Sequence, residues 1–252
     1  MPPPAGPIQG YTLATVVSLA LEHAQRDRTV SLGYALATVA SLALIGASLR
    51  KDSTLSTAEV LGFVTGGWCV WLVVRDNIWN WPVGIVNAGF FVVVFWRARL
   101  YADASLQVIY IVLGFLGWYM WLRGGQDHGR LHVRCVGLRE AAWVALAFVV
   151  GTMIATRYLR GVGDSAPFLD ALTTTLSLAA QYLLTRKFIE NWTLWIVVDV
   201  IYVGLYASRG LNLTSLLYVV FLGMACVGVK HWRRLLEDER DSGNESVNLW
   251  AD

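Results

Sequence analysis

The sequence is poor in charged residues. Asp, Glu, Lys and Arg make up 15% of its 252 residues, whereas a soluble domain of this size carries about 25%. The formal net charge is only +2, and proteins that bind nucleic acid normally present a strongly basic surface. The composition therefore argues against an ordinary soluble domain and gives no indication of a nucleic-acid partner.

The residues that carry most enzyme and metal chemistry are also scarce. The 3 cysteines have neither the paired spacing of a disulfide framework nor the spacing of a metal site. All 4 histidines lie outside the long apolar segments, at His23, His128, His132 and His231. No glycine-rich phosphate-binding loop is present. We therefore predict no metal, no cofactor and no catalytic residues, and hence that the protein is not an enzyme.

The sequence does contain long apolar segments, and 56% of its residues are hydrophobic. Runs of about 17–25 predominantly apolar residues are typical of transmembrane helices. Eight segments fit, at 30–49, 57–74, 79–96, 104–122, 138–156, 165–184, 193–207 and 211–230. We therefore predict an all-α polytopic membrane protein with eight transmembrane helices.

The sequence also repeats itself. Shifting it by 111 residues aligns two copies without a gap, and the identities include polar and aromatic residues that are hard to match by chance. These matches are Arg75 with Arg186, Asn80 with Asn191, Trp81 with Trp192, Gly117 with Gly228 and Trp121 with Trp232. The copies begin four helices apart, so they have the same orientation in the bilayer, as in SWEET-type sugar transporters. This predicts a 3+1+3 parallel-repeat core with a linker helix between the copies.

The apolar segments and the repeat together predict the organisation of the chain. Residues 1–29 form an N-terminal segment, partly interfacial or disordered, and 30–56 a peripheral transmembrane helix with its loop. The core comprises 57–123 (first repeat), 124–164 (loops and linker helix) and 165–234 (second repeat), followed by a polar, frayed tail at 235–252. Most of the 20 Lys and Arg residues fall on the side that holds both termini, so the positive-inside rule predicts cytoplasmic termini.

Polar and aromatic residues form stripes at helical spacing inside the predicted helices. Gln107, Tyr110 and Trp118 share one face of the segment 104–122. Asp199 shares a face with Trp195 and Tyr202, although a carboxylate at mid-membrane costs about 2.5–3.5 kcal/mol. Such residues normally face the interior of a bundle or a wet cavity. They suit a small, polar, aromatic solute, and a cationic ring would gain further attraction.

Each of these residues also has a structural interpretation. Tryptophans near helix ends, such as Trp81, Trp121 and Trp192, are typical of interfacial anchors as well as of ligand contacts. Gln107 and Gln181 are equally suited to hydrogen bonds between helices. Asn87 lies beside small glycines, so close helix packing competes there with substrate binding. Asp199 is also compatible with a protonated or hydrogen-bonded structural role.

Three segments of the first copy resemble the PnuC family of bacterial vitamin transporters: 79–87 (WNWPVGIVN), 100–110 (LYADASLQVIY) and 117–121 (GWYMW). The resemblance covers residues 57–232. It implies an inner-membrane protein that carries nicotinamide riboside by facilitated diffusion, with trapping by cytoplasmic phosphorylation and a homotrimeric assembly. Relatives in the wider family carry thiamin or riboflavin, so another vitamin stays open, as does a membrane sensor without transport activity.

The resemblance also suggests which residues contact the substrate. Trp118, Trp195 and Tyr202 would stack on the pyridinium ring, and Asn87, Gln107, Asp199 and Asn212 would hydrogen-bond to the carboxamide and ribose. Tyr110 completes the primary set. Secondary candidates are Trp81, Trp121, Gln181, Trp192 and Tyr218. The second copy departs from the family pattern, because Thr193 stands where the first copy has Pro82, and Asp199 lies one position beyond the counterpart of Asn87.

Overall fold

A computed structural model describes residues 41, 57–97, 99, 101–125, 129–209 and 212–248. The chain divides into two compact units, Met1–Leu61 and Gly62–Asp252. The described residues form seven α-helices: α1 (Thr57–Val74), α2 (Asn80–Arg97), α3 (Tyr101–Arg123), α4 (Leu138–Gly161), α5 (Pro167–Thr185), α6 (Asn191–Ser208) and α7 (Asn212–Asn248). The predicted all-α class is confirmed. Of the predicted helix at 30–49 only Ser41 is described, as helical, and the N-terminal segment 1–29 lies outside the described residues.

Four of these helices are long and apolar enough to cross a membrane, over Asp103–Arg123, Leu138–Gly161, Asn191–Ser208 and Ser215–Glu239. In α1 the apolar stretch Val60–Val74 is shorter. Helices α2 and α5 are not among these four, and their polar residues include Asn87 on α2 and Ser177 and Gln181 on α5. All three of these residues line an internal cavity. The polar residues of these two helices therefore face the interior of the bundle.

The turns from α1 to α2 and from α5 to α6 have the same construction. Each contains a residue with a left-handed backbone, Asp76 (φ 52°) and Lys187 (φ 57°). The next helix begins at an asparagine whose amide donates back to the turn, from Asn80 to Asn77 O (2.7 Å) and from Asn191 to Phe188 O (2.6 Å). Corresponding residues of the two turns are 111 positions apart, so the repeat found in the sequence is also a repeat of local structure.

Helix packing joins the two copies of the repeat. Helix α2 packs on α3, α5 packs on α6, and α6 packs on α7. Helix α3 packs against α5, which connects the first copy to the second, while α4 packs along α5. The chain after α3 crosses the turn after α5, where the Arg134 amide donates to Lys187 O and the Ile189 amide to Arg134 O.

The end of the chain differs from the expectation. A frayed tail was predicted from residue 235 onward, yet α7 continues to Asn248. Its first part is apolar, and its last part reads EDERDSGNESVN, in which three Glu and one Arg stand among weaker helix formers such as Asp, Ser, Asn and Gly. These residues extend a helix that the apolar part has already begun, because adding a residue to an existing helix costs far less than starting one.

Candidate functional site

Four tryptophans form a cluster at one end of the bundle. Within the first copy, the rings of Trp81 and Trp121 meet edge to face at 5.4 Å. Within the second copy, Trp192 and Trp232 meet in the same way at 5.5 Å. The two pairs join through Trp121 and Trp232, whose ring centroids are 6.0 Å apart. All four residues of this tryptophan cluster belong to one buried hydrophobic core.

The cluster shows why both copies keep a glycine at the same position. A Cβ atom at Gly117 would overlap the ring of Trp81, and one at Gly228 would overlap the ring of Trp192. Each tryptophan at the start of a helix therefore packs directly against a glycine on the next helix of its copy. The four rings are at most 3% exposed, so the interpretation of Trp81, Trp121 and Trp192 as interfacial anchors is wrong. Trp79, in contrast, is 65% exposed, as an anchor would be.

Hydrogen bonds from the cluster cross between the copies. Trp121 Nε1 donates to Leu184 O of the second copy (3.1 Å), and Trp232 Nε1 donates to Val73 O of the first (3.1 Å). Donors and acceptors are both 111 residues apart, so the two bonds are counterparts of each other. The copies thus exchange equivalent bonds across a local two-fold axis.

An ion pair lies beside the cluster. Lys187 Nζ is 2.8 Å from Asp76 Oδ1, and it also donates to Leu131 O (2.8 Å). The same ammonium group lies 4.6 Å from the centre of the Trp121 ring, within the range of a cation–π contact. Burial raises the pKa of the Asp76 carboxyl above its ordinary value, even though the charge of Lys187 acts in the opposite direction. The pair therefore closes this end of the bundle at a cost in desolvation.

A cavity of about 530 Å³ extends from the tryptophan cluster into the bundle. Many of its lining residues occur as pairs 111 positions apart. These pairs are Gly66 and Ser177, Val70 and Gln181, Val73 and Leu184, Trp81 and Trp192, Gly84 and Trp195, Asn87 and Val198, Ala88 and Asp199, Gln107 and Tyr218, Tyr110 and Phe221, and Gly114 and Ala225. The cavity therefore lies between the two copies. Its two walls have diverged, because the pairs other than the two tryptophans contain different residues.

The polar part of the lining comes from both copies. Asn87, Gln107, Gln181 and Asp199 all line the cavity. The Asn87 amide nitrogen donates to Thr65 Oγ1 (2.6 Å) and to Gly62 O (3.1 Å) on α1. Helix packing therefore uses its donors and leaves its carbonyl oxygen as the acceptor for a ligand. The Asp199 side chain is buried and provides the one mid-helix carboxyl among the described residues of the lining.

The aromatic part of the lining comes mainly from the second copy. Trp195, Tyr202 and Tyr218 line the cavity, as does Tyr110 from the first copy. The rings of Tyr202 and Tyr218 are 4.7 Å apart, and Tyr206 stacks on Tyr218 at 5.4 Å. Clustered rings of this kind present faces on which a planar heterocycle can stack, and a cationic ring gains additional attraction.

Two of the described residues proposed from the sequence are not part of this lining. Trp118 packs against the hydrophobic core, and Trp121 belongs to the tryptophan cluster. Asn212 is the first residue of α7, but its side chain lies outside the described residues. Trp81 and Trp192 belong to the tryptophan cluster and also line the cavity.

The lining also includes residues that the sequence analysis did not propose, among them Phe95, Asp103 and Phe221. The repeat offset contained the signal for Phe221, because it is the counterpart of Tyr110. Phe95 could have been found in the same way, as the counterpart of Tyr206. Among the described residues, no group of three or more His, Cys, Asp or Glu could hold a metal ion.

Comparisons with known proteins fit this geometry. The family described as nicotinamide mononucleotide transporter matches residues 56–234. The nicotinamide riboside transporter PnuC of Escherichia coli (strain K12) is 30% identical over 77% of this chain and 91% of its own. The riboflavin/roseoflavin transporter RibM of Streptomyces davaonensis is 26% identical over 76% of this chain and 90% of its own.

A solved structure is also similar. The crystal structure of the vitamin B3 transporter PnuC superposes with a TM-score of 0.61 at 26% identity, over 81% of this chain and 92% of that one. The match of the family covers more than half of the chain and includes both copies of the repeat. The chain therefore belongs to the nicotinamide mononucleotide transporter family of membrane proteins.

Proposed function

We propose that the protein transports nicotinamide riboside by facilitated diffusion, with the substrate bound in the cavity between the two copies. Nicotinamide riboside is a pyridinium cation that carries a carboxamide and a ribose. Trp195, Tyr202 and Tyr218 offer ring faces for the cation. Asn87, Gln107 and Asp199 offer hydrogen-bonding groups for the carboxamide and the ribose hydroxyls. The single observation that carries the proposal is this combination of rings and polar groups in one cavity.

The charge of the cavity favours the riboside over its phosphorylated form. Its lining residues in the described part of the chain include Asp103 and Asp199 but no Lys or Arg. A phosphate group would enter this cavity without a counter-charge, and moving an unpaired charge out of water is costly. A riboside keeps the positive ring and avoids that cost. The proposal therefore specifies a nucleoside rather than a mononucleotide as the substrate.

The proposed architecture is a 3+1+3 core within eight transmembrane helices, in which α4 is the linker. Equivalent contacts of the two copies at the same end of the bundle support parallel repeats, since inverted repeats would place them at opposite ends. The site is expected near the bilayer midplane, with alternating access by movement of one copy against the other. Pro82 and Gly84, at the start of α2, are the candidate flexible positions.

The cellular setting follows from the same proposal. We place the chain in the bacterial inner membrane, as a homotrimer with both termini in the cytoplasm. The tryptophan cluster would then lie on the cytoplasmic side. Facilitated diffusion needs no ion coupling, and the described residues contain no motif for it. Phosphorylation of the riboside inside the cell would keep uptake one-way. The protein itself would act as a carrier and not as an enzyme.

A second candidate is transport of another vitamin by the same scaffold. The likeness to RibM, named a riboflavin/roseoflavin transporter, favours riboflavin. Thiamin is also compatible, because it is a cationic heterocycle. A non-transport sensor is less favoured, because the described segments between the helices are short and the family is one of transporters.

The test is uptake into proteoliposomes with no ion gradient and no ATP. We expect labelled nicotinamide riboside to equilibrate, with little competition from nicotinamide mononucleotide, thiamin or riboflavin. Preferred uptake of riboflavin or thiamin would replace the substrate but keep the transport function. Accumulation above the external concentration would overturn facilitated diffusion. Binding without uptake of any of these compounds would favour the sensor.

A further inference from the structure

A second groove lies outside the central cavity, between α4 and the start of α5. It has a volume of about 900 Å³ and is open to the outside of the bundle. Helix α4 contributes residues on one face, from Phe148 through Thr152 and Thr156 to Arg160, and α5 contributes Phe168. None of these residues lines the cavity between the copies, so substrate transport does not account for the groove.

The length of the groove matches one leaflet of a bilayer. From Phe148 to Arg160 a helix rises about 18 Å, and half of a hydrocarbon core measures about 15 Å. Phe148 lies near the middle of the 24-residue helix α4, and Arg160 lies in its last turn. The groove therefore extends from the middle of the bundle to the end opposite the tryptophan cluster.

The outer end of the groove is positively charged. Arg157 and Arg160 line it, and both side chains are exposed. Within the described ranges, neither guanidinium group has a carboxylate at ion-pair distance; the ion pairs there involve Arg186 and Lys187. Exposed arginines at the end of an apolar groove are well suited to a phosphate, which they can bind through two parallel hydrogen bonds.

The wall of the groove also contains an unpaired hydroxyl group. Thr152 donates to Phe148 O (2.8 Å) and bonds to Thr175 on α5 (2.7 Å). One turn later, the Thr156 hydroxyl is buried and has no hydrogen-bond partner in the described part of the chain. A helical threonine usually bonds to the carbonyl four residues before it. The free hydroxyl therefore indicates a partner that the protein does not supply.

We infer that this groove binds one anionic phospholipid from the leaflet opposite the tryptophan cluster. The headgroup phosphate lies against Arg157 and Arg160, and Thr156 donates to an oxygen of the glycerol-ester region. One acyl chain packs along Phe148, Met153 and Phe168. The two unpaired arginines select an anionic lipid over a zwitterionic one, because the latter brings a positive charge of its own into the same place.

The test uses the purified full-length protein in detergent, with phosphatidylglycerol added and counted by native mass spectrometry. We expect one retained phosphatidylglycerol per protomer and weaker retention of phosphatidylethanolamine. The variant Arg157→Gln/Arg160→Gln should lower the retention of phosphatidylglycerol by at least about tenfold, since it loses charge-assisted bonds. Thr156→Val should lower it less. The control Arg123→Gln/Arg139→Gln removes the same charge from exposed positions outside the groove and should leave retention unchanged.

A shape variant separates a lipid from the other possible occupants. Met153→Trp fills the groove without changing charge, so it should also reduce lipid retention while nicotinamide riboside uptake continues. If the Arg123→Gln/Arg139→Gln control loses as much phosphatidylglycerol as the groove variant, the proposal is overturned, because lipid retention would then depend on net charge alone. Dissociation of an oligomer by Met153→Trp with unchanged lipid would assign the groove to a second copy of the chain. Equal stabilisation by inorganic phosphate alone would assign it to a free anion.

Discussion

Asp76 and Lys187 are 111 residues apart, which is the interval of the repeat, and their side chains form an ion pair of 2.8 Å. They are therefore the same position in the two copies, and both have a left-handed backbone. A residue can meet its own counterpart only close to the axis that relates the copies. Two identical charges would repel there, so an acid in one copy and a base in the other are what allow this contact to form.

The two members of this ion pair should differ in their effect on stability. Lys187 is more deeply buried than Asp76, and it also contacts Leu131 O and the Trp121 ring. We expect Lys187→Met to lower the free energy of unfolding by about 2 kcal/mol, because it leaves a partly buried carboxylate unpaired. Asp76→Asn should cost less. The double variant should be more stable than Lys187→Met alone, as measured by unfolding in detergent; a double variant less stable than both single variants would contradict this.

The raised pKa of Asp76 predicts how the stability of these variants depends on pH. Between the ordinary pKa and the raised one, the folded state binds more protons than the unfolded state. The free energy of unfolding therefore increases as the pH falls through this window. Lys187→Met removes a positive charge that lowers the pKa of Asp76. In this variant, the pH range over which stability changes should therefore extend to higher pH. The measurement is the difference in unfolding between Lys187→Met and Asp76→Asn/Lys187→Met from about pH 4 to 7; a difference that is constant with pH would show that Asp76 does not titrate there.

The indole hydrogen bonds that cross between the copies should contribute equally. Trp121→Phe and Trp232→Phe each remove one N–H and keep most of the ring. Their acceptors, Leu184 O and Val73 O, retain a second donor from the turn, so each variant should cost about 1 kcal/mol plus a small packing loss. Trp79→Phe, at an exposed position, is the matched control and should change stability by less than about 0.5 kcal/mol. Trp121→Phe should cost somewhat more, because the Trp121 ring also contacts Lys187 Nζ. A much larger cost for Trp232→Phe would contradict the local two-fold symmetry.

Two variants separate the contribution of Asn87 to helix packing from its contribution to substrate binding. Thr65→Val removes one of the two acceptors that Asn87 uses on α1, whereas Asn87→Ala removes both bonds and also the group that faces the cavity. We expect both variants to lose about 1 kcal/mol of stability. Asn87→Ala alone should also weaken nicotinamide riboside binding. If Thr65→Val weakens binding by the same factor, Asn87 acts only through helix packing.

Trp195 offers the sharpest test of ring stacking in the cavity. Its counterpart in the first copy is Gly84, so this ring stands on one wall only. We expect Trp195→Leu to lower the affinity for nicotinamide riboside about tenfold and Trp195→Phe to lower it less. Trp143→Leu, at an exposed position on α4, serves as the control. Unchanged affinity in Trp195→Leu, with normal thermal unfolding, would remove Trp195 from the site.

The sequence predicted which face of a helix a residue occupies, but not the depth at which it lies in the bundle. Trp118 and Trp121 share the helix face of Gln107 and Tyr110, and all four do turn into the bundle. Only Gln107 and Tyr110 reach the cavity, while the two tryptophans pack in and beside the cluster. Helical phase follows from residue spacing, but the depth at which a cavity ends depends on which rings fill the space from other helices.

By itself, the sequence determined the all-helical class, the two copies and their 111-residue interval, because apolar length and repeated tryptophans are properties of one chain read in order. Only the tertiary structure decided that the tryptophans form a buried cluster and that Asp76 pairs with Lys187. The tertiary structure also decided that the Asn87 amide group donates its hydrogen bonds to α1. These outcomes depend on which side chains meet across helices far apart in sequence. The Asp76–Lys187 contact in particular was hidden, because the two copies differ in residue type at the position where they touch.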